Sequence, residues 1–132
     1  MHLKDLIMEY GQEKGNSTVR LDETGHCHLL INNEITLSFE VDEEKNRFYM
    51  YALVGMVGPQ YREKLFEEIL SADLYNKETG GATLGLDKHR DEIILSRYFS
   101  LTDLDYVDFK RFLESFLGQV THWKQYIQDF RP

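Results

Sequence analysis

The sequence has little cysteine, a deficit of basic residues and no long apolar run. Its 132 residues contain one cysteine, Cys27, so no disulfide can form within the chain. No apolar stretch approaches the roughly 20 residues that a membrane-spanning helix needs. No basic segment followed by an apolar one stands near Met1, so a secretory signal is not expected. These absences predict a protein of the reducing cytoplasm.

The deficit of positive charge narrows the class of partner. There are 15 Lys and Arg residues against 23 Asp and Glu residues, which gives a formal net charge of -8 at pH 7. A surface of that sign repels phosphate backbones, so nucleic-acid binding is not expected. The hydrophobic fraction of 42% is enough for the core of a single domain over residues 1–132.

The spacing of the apolar residues predicts an α+β fold with the element order α-β-β-β-β-α-β-β-α. A helical pattern at residues 2–12 precedes four stretches of period two, at residues 18–21, 26–31, 35–41 and 47–54. Turn residues separate the first of these stretches, namely Gly15-Asn16-Ser17, Glu23-Thr24-Gly25 and Asn32-Asn33. The pattern then predicts a helix from Gly58-Pro59 to Tyr75-Asn76, a hairpin of residues 82–87 and 92–100, and a final helix capped by Thr102. The helices are expected to cover a twisted antiparallel sheet.

The strand predicted at residues 47–54 carries apolar or aromatic groups on both faces. Phe48, Met50 and Ala52 lie on one face, whereas Tyr49 and Tyr51 lie on the other. Because a small domain cannot easily cover both faces of such a strand, the pattern predicts a surface for a partner.

His26-Cys27-His28 is the motif that most suggests a metal site, since imidazole and thiolate are good zinc ligands. On a strand, however, the two histidines lie on one face and Cys27 lies on the other. No CxxC or HExxH motif supplies further ligands. The remaining histidines are His2, His89 and His122. The sequence therefore favours a core cysteine flanked by surface histidines, with no bound metal.

No motif in the sequence indicates catalysis. Cys27 would need a nearby base to act as a nucleophile, and strand alternation places its neighbours on the opposite face. The acidic pairs Glu43-Glu44 and Glu67-Glu68 stand close to lysines, which favours solvated ion pairs over catalytic carboxylates. Gly80-Gly81 precedes a strand, whereas the glycines of a phosphate loop precede a helix. We therefore expect neither an enzyme nor a cofactor.

The segment from Asn76 to Ser100 carries the resemblance to a known family. It contains the run Thr79-Gly80-Gly81-Ala82-Thr83-Leu84-Gly85-Leu86-Asp87 and, after a turn, Ile93-Ile94-Leu95-Ser96-Arg97. Together with a final helix that contains Trp123, this segment resembles the CesT/SycE (Tir chaperone) family, the class I chaperones of bacterial type III secretion. The resemblance extends over nearly the whole chain. It departs from the family in the charged turn Lys88-His89-Arg90.

The resemblance implies a cytoplasmic homodimer of a Gram-negative bacterium that binds the extended N-terminal segment of a secreted effector without ATP. It also implies an indirect connection with the secretion ATPase. Related chaperones dimerise mainly through the second helix and a neighbouring strand, which here implies an interface of Leu65, Phe66, Ile69, Leu70, Leu84 and Leu86.

An effector-binding groove is expected where the first helix lies beside the sheet, because apolar grooves and free strand edges both accept extended peptides. The residues predicted for this groove are Leu3, Ile7, Tyr10, Leu37, Phe39, Tyr49 and Tyr51.

Two other function classes stay open at this level. One is a small regulatory or adaptor domain of the same fold that binds a folded protein partner. The other is a small-molecule enzyme, for which large stabilisation by a metal or nucleotide would be the sign.

Overall fold

The computed structural model, which describes residues 2–15, 17–24 and 26–132, confirms the α+β fold. Three α-helices are present in the described residues: α1 (Leu3–Lys14), α2 (Arg62–Asp73) and α3 (Tyr106–Gln128). The strands are β1 (Ser17–Leu21), β2 (Cys27–Ile31), β3 (Ile35–Asp42), β4 (Arg47–Met56), β5 (Thr83–Asp87) and β6 (Glu92–Ser100). They form one sheet with the order β1-β2-β3-β4-β6-β5.

The chain divides into two compact units, which are described separately. Unit 1 comprises Met1–Ala52 and Tyr98–Glu114, and unit 2 comprises Leu53–Arg97 and Ser115–Pro132. Strands β4 and β6 and helix α3 contribute residues to both units.

Turn residues end the first elements as the sequence predicts. Asn32 and Asn33 both have positive φ, 55° and 57°, and reverse the chain between β2 and β3. Gly15 has φ 67° and ends α1, with its N–H donating to the carbonyl oxygen of Gly11 at 3.2 Å. Met1 lies outside the described residues, so the expectation of no signal segment stays a prediction. The same holds for the Asn16 and Gly25 positions of the two predicted turns.

In unit 1, one face of the sheet is buried under α1 and the first turns of α3. Cys27 is paired with Phe39, and Phe39 with Met50, so these three residues lie on one face, which we call the inner face. Their side chains are buried. The ring of Phe109 on α3 lies 6.2 Å from that of Phe39 and 6.1 Å from that of Phe48, measured between centroids. Each buried side chain of this size contributes about 1.5–3 kcal/mol through the hydrophobic effect.

In unit 2, apolar residues of α2 and of the C-terminal half of α3 form the core. The buried residues of α3 recur at steps of three and four, as the sequence predicts for a packed helix: Phe116, Val120, Trp123 and Ile127. A Cβ atom at Gly55 of β4 would lie 2.5 Å from the Ile127 side chain, so this glycine permits close contact between strand and helix. None of the helices in the described ranges has both the length and the hydrophobicity that crossing a membrane requires.

Both later helices begin further along the chain than the sequence predicts. Helix α2 begins at Arg62 and not at Pro59, because Tyr61 before it has a left-handed backbone with φ 61°. Helix α3 begins at Tyr106, and its first turn is capped by Asp105, whose Oδ1 accepts a hydrogen bond from the Asp108 N–H at 2.8 Å.

Thr102, the predicted cap, has a different partner. Its Oγ1 accepts a hydrogen bond from Nδ2 of Asn46 at 3.0 Å, and the Leu101 N–H donates to the Asn46 carbonyl at 2.9 Å. Asp103 then has φ 52°, which no helix can contain. The chain after β6 is thus held against the β3–β4 turn before the helix begins.

The connection between α2 and β5 is held by one carboxylate. Oδ1 of Asp73 accepts a hydrogen bond from the Asn76 amide at 3.2 Å and another from the Leu84 N–H at 3.0 Å. The Thr79 hydroxyl, which is fully buried, donates to the Ala82 carbonyl. These bonds join the end of the helix to the end strand of the sheet.

The glycine pair of this connection has a packing role. Gly80 and Gly81 have φ 62° and 88°, a region that other residues enter only with strain. A Cβ atom at Gly80 would lie 2.7 Å from the Gln119 amide, and one at Gly81 would lie 2.9 Å from the Arg97 guanidinium. That guanidinium donates to the Gly80 carbonyl at 2.7 Å. The pair is therefore fixed by α3 and β6, as expected for a structural motif and not for a phosphate loop.

We expect Gly81→Ala to lower the free energy of unfolding by about 1–3 kcal/mol, because an alanine backbone is strained at positive φ. Gly118→Ala is the matched control, since Gly118 lies on α3 with open space around its Cα. The control should raise the free energy of unfolding by about 0.5–1 kcal/mol. Urea denaturation followed by circular dichroism at one protein concentration measures both. Equal stability of Gly81→Ala and the unmodified chain would contradict the packing role.

Candidate functional site

The residues predicted for the effector-binding groove do not share one surface. The strand register puts Leu37 and Phe39 on the inner face, whereas Tyr49 and Tyr51 lie opposite Glu40 and Ser38 on the other face, which we call the outer face. The two tyrosines are half-buried. The remaining predicted residues are buried in unit 1, namely Leu3, Ile7, Tyr10, Leu37 and Phe39.

A groove lies beside the start of α1 and includes three of the predicted residues. It has a volume of about 250 Å³ and its base is formed by the buried Leu3, Ile7 and Phe39. Its exposed apolar walls are Leu21, 51% exposed, and Val41, 45% exposed. We call this surface the α1 groove. The full lining is Leu3, Lys4, Ile7, Leu21, His26, Cys27, Phe39, Glu40 and Val41.

The two groove walls, Leu21 and Val41, are not among the residues predicted from the sequence. Leu21 and Val41 both continue the alternation of their strands on the inner face. Each is the last apolar residue of its alternating run, at a position that α1 no longer covers. The alternation could have identified them as inner-face residues, but their exposure depends on where the helix ends over the sheet.

Tyr10 belongs to the contact between α1 and α3 and not to a free surface. Burial, followed by the nearby carboxylates of Glu114 and Glu13, raises the pKa of Tyr10 to about 12. Glu13 accepts hydrogen bonds from Lys110 and from the Tyr106 hydroxyl, and these bonds lower its pKa. This end of α1 is therefore fixed by polar contacts.

Cys27 lies in the α1 groove with its side chain buried on the inner face, as strand alternation predicts. Burial raises the pKa of its thiol, which makes the nucleophilic thiolate scarcer at neutral pH. His26 and His28 are half-buried and flank it in sequence. Within the described part of the chain, no three His, Cys, Asp or Glu side chains come together in a group that could hold a metal ion.

The outer face of unit 1 contains a chain of hydrogen bonds from Asp22 through His28 to Ser38. Oδ2 of Asp22 lies 2.9 Å from Nε2 of His28, and Nδ1 of His28 lies 2.8 Å from Oγ of Ser38. The order of residues is that of a serine-protease triad. Ser38, however, is buried in the middle of the sheet, and its strand is paired on both sides with β2 and β4. The hydrogen bonds of Asp22, His28 and Ser38 therefore join the end of β1 to β2 and β3.

Asp22 is the centre of that network. Its Oδ1 accepts hydrogen bonds from the N–H and hydroxyl groups of Thr24 and from the N–H of His26. The bonds from Thr24, then from His28, hold the pKa of the Asp22 carboxyl well below its usual range. The carboxylate thus holds the β1–β2 connection to the sheet in its ionised form.

The residues predicted for the dimer interface lie together on unit 2. Phe66, Ile69 and Leu70 of α2 and Leu84 and Leu86 of β5 line one cleft of about 210 Å³. We call this surface the α2–β5 face. Leu70 is 71% exposed and Leu86 is 43% exposed, whereas Leu65 and Ile69 are buried, and Leu65 does not line the cleft.

Both ends of the sheet carry a strand with one open edge. Strand β5 pairs with β6 and β1 pairs with β2, and neither has a second strand neighbour among the described residues. An open edge offers unpaired N–H and C=O groups to another chain. The α2–β5 face therefore combines exposed leucines with a strand edge.

Comparison with known proteins adds independent information. A model of the Tir chaperone protein (CesT) family matches residues 5–124 of the chain. The Chlamydia pneumoniae protein CPj0713/CpB0740 is 29% identical over 123 residues, which are 92% of this chain and 92% of that protein.

Solved structures share the fold. A chain of the ExsC–ExsE complex matches with a TM-score of 0.75 at 19% identity. The match covers 96% of this chain and 97% of that chain. The HopA1–SchA chaperone–effector complex has a TM-score of 0.66 at 20% identity and covers 92% of each chain. The Yersinia pestis type III secretion chaperone SycH, bound to a stable fragment of YscM2, has a TM-score of 0.63 at 20% identity and covers 90% of this chain and 97% of that chain.

We expect Asp22→Asn to lower the melting temperature near pH 7 and to have less effect as the pH falls. The folded-state pKa of Asp22 is depressed, so its stabilising contribution is present above the ordinary Asp pKa of about 4 and is lost progressively below it. Thermal melts of the variant and the unmodified chain at pH 7 and in acid measure the difference. Glu23→Gln, a change at the neighbouring exposed carboxylate, should leave the melting temperature unchanged. A difference for Asp22→Asn that does not shrink in acid would contradict the role of the charge.

Proposed function

The chain belongs to the Tir chaperone protein (CesT) family, and on that premise we propose that it binds the N-terminal segment of a secreted effector before type III secretion. Proteins of this family bind other proteins and are not enzymes. We propose further that binding takes place in the cytoplasm of a Gram-negative bacterium, needs no ATP, and involves the secretion ATPase only indirectly. The HopA1–SchA structure, a chaperone–effector complex of the same fold, supports this role.

The observation that carries the proposal is the presence of two separate apolar surfaces on one chain. The α2–β5 face exposes Leu70 and Leu86, and the α1 groove exposes Leu21 and Val41. Exposed apolar surface of this kind marks an interaction site. Two such surfaces fit a protein that binds a second copy of itself with one and an effector with the other.

The α2–β5 face fits the second copy. A two-fold axis places the same patch of both chains in contact, and the patch must then be complementary to itself. Exposed Leu70 and Leu86 meet that requirement, since leucine packs against leucine. The proposal for the homodimer rests on this face and assigns Phe66, Leu84 and Leu86 to the contact.

The α1 groove fits an extended effector segment. A chain lying along the open edge of β1 can pair with its backbone and place alternate side chains toward the inner face. Leu21 stands at the end of that strand and forms a wall of the groove. An apolar side chain of the effector would enter between Leu21 and Val41 and contact Phe39 and Ile7.

Leu70→Asp should convert the dimer into monomer, because a charge would be buried in an apolar contact without a partner. The substitution should not unfold the chain, since Leu70 is largely exposed. A charge at Leu65 or Ile69 would be less informative, because both side chains are buried and the substitution would unfold the chain itself. Val107→Asp on α3, at a position 73% exposed, is the control and should leave the dimer intact. Size-exclusion chromatography with light scattering measures the mass of each variant. A dimer that persists in Leu70→Asp would contradict this interface.

Val41→Asp should abolish capture of an effector while leaving the dimer unchanged. The measurement is co-expression with the protein encoded next to it in the genome, followed by affinity purification with and without ATP. Met8→Asp, a change at an exposed residue of α1 outside the groove lining, is the control and should retain capture. Capture should also be lost when the N-terminal segment of the effector is deleted. Capture that survives this deletion would favour the alternative, an adaptor domain that binds a folded partner.

A further inference from the structure

The outer face of unit 1 already binds one arginine, contributed by the chain itself. Nε of Arg47 donates to Oδ2 of Asp42 at 3.1 Å. The guanidinium carbon lies 4.5 Å from the centroid of the Tyr98 ring and 5.3 Å from that of the Tyr49 ring. The two rings lie 5.8 Å apart between centroids. A carboxylate and tyrosine rings thus form a complete site for a guanidinium, which can bond and stack at once.

The same combination recurs two residues along each strand, without a cation. Glu40 lies two residues before Asp42 on β3, on the same face, and it is opposite Tyr49. Tyr51 lies two residues after Tyr49 on β4. Glu40 is exposed, and no hydrogen bond or ion pair reaches its carboxylate from the residues that the structure describes.

The charges around this position favour an incoming cation. Glu40 and Asp22 both raise the pKa of Tyr51, after the larger effect of burial, so their negative field reaches the ring. The other carboxylates of the outer face are engaged, Asp42 with Arg47 and Asp22 with His28. Ser38, opposite Tyr51 on β3, acts in the other direction and lowers the pKa of Tyr51. Arg20 on β1 lies on the same face, across from His28.

We propose that Glu40, Tyr49 and Tyr51 form a site for a basic side chain, preferably arginine, of the bound polypeptide. The inference rests on the proposed function and adds to it the chemistry of one contact. An effector segment that leaves the α1 groove would meet Glu40, because this outer-face residue is also among those that line the groove, and it is exposed. The net charge of -8 favours basic segments in general, whereas this site selects one position.

The test uses a short blocked peptide with one central arginine between serine and valine residues, and the same peptide with neutral citrulline. Titration of the full chain, followed by amide signals in NMR spectra, gives the affinity and the location. The arginine peptide should bind about tenfold more tightly, since arginine can form an ion pair and a cation–π contact that neutral citrulline cannot form. The largest shifts should fall on the amides of Glu40, Tyr49 and Tyr51.

Variants separate the site from general electrostatics. Glu40→Gln should remove most of the preference for arginine, whereas Glu44→Gln, the same loss of charge in the exposed β3–β4 turn, should retain it. Tyr51→Leu should weaken binding of the arginine peptide, and Tyr51→Phe should restore it. Equal binding of the two peptides, or equal effects of the two glutamate variants, would refute the site.

The two proposals fail separately. An effector captured on co-expression, with no discrimination between arginine and citrulline, would refute this site and leave the chaperone role standing. Discrimination for arginine, with no effector captured through its N-terminal segment, would refute the chaperone role and leave the site standing.

Discussion

Burial of one face of the sheet beneath helices is the constraint on which the rest of the structure depends. In unit 1 the ring of Phe109 packs against Phe39 and Phe48, and that contact fixes which residues of β3 and β4 face inward. Because side chains alternate along a strand, the same contact places Tyr49 and Tyr51 on the outer face. A shift of one residue in register would exchange the two sets. The chemistry of the outer face is therefore a consequence of aromatic packing on the inner one.

Most of the fold could be predicted from the sequence, because the strands alternate clearly and Asn32-Asn33 marks a turn on its own. The starts of α2 and α3 could not, since they depend on the left-handed backbone of Tyr61 and on a hydrogen bond between Thr102 and Asn46, residues far apart in sequence. The α2–β5 face was predicted as a set, but its division into exposed Leu70 and buried Leu65 follows from helix rotation against the sheet. Of the residues predicted for an effector groove, Leu3, Ile7 and Phe39 line the α1 groove, and the others do not. Periodicity assigns a residue to a face and does not say whether a helix covers it.

The sequence motif that carries the family resemblance contributes Leu84 and Leu86 to the cleft of the α2–β5 face, whereas its glycine pair has a packing role. Gly80-Gly81 contacts Arg97 and Gln119, and Asp73 ties the end of α2 to Leu84. These contacts hold β5 against the end of α2, so they determine the shape of the α2–β5 face without lining its cleft. The α1 groove and the Glu40 site lie on unit 1, outside that motif.

The single tryptophan gives the two surfaces different optical properties. Trp123 is buried in unit 2, where its ring meets Tyr126 edgewise, and the Tyr126 hydroxyl bonds Glu68 on α2. Its emission therefore reports on the surroundings of α2, whereas unit 1 contains tyrosine and phenylalanine but no tryptophan. The dimer proposed for the α2–β5 face would thus form on the unit that contains the indole, whereas the peptide proposed for the α1 groove would bind a unit whose own fluorophores are tyrosines. Excitation at the red edge of the absorption band selects the tryptophan, so it reports on unit 2 in the unmodified chain and without a label.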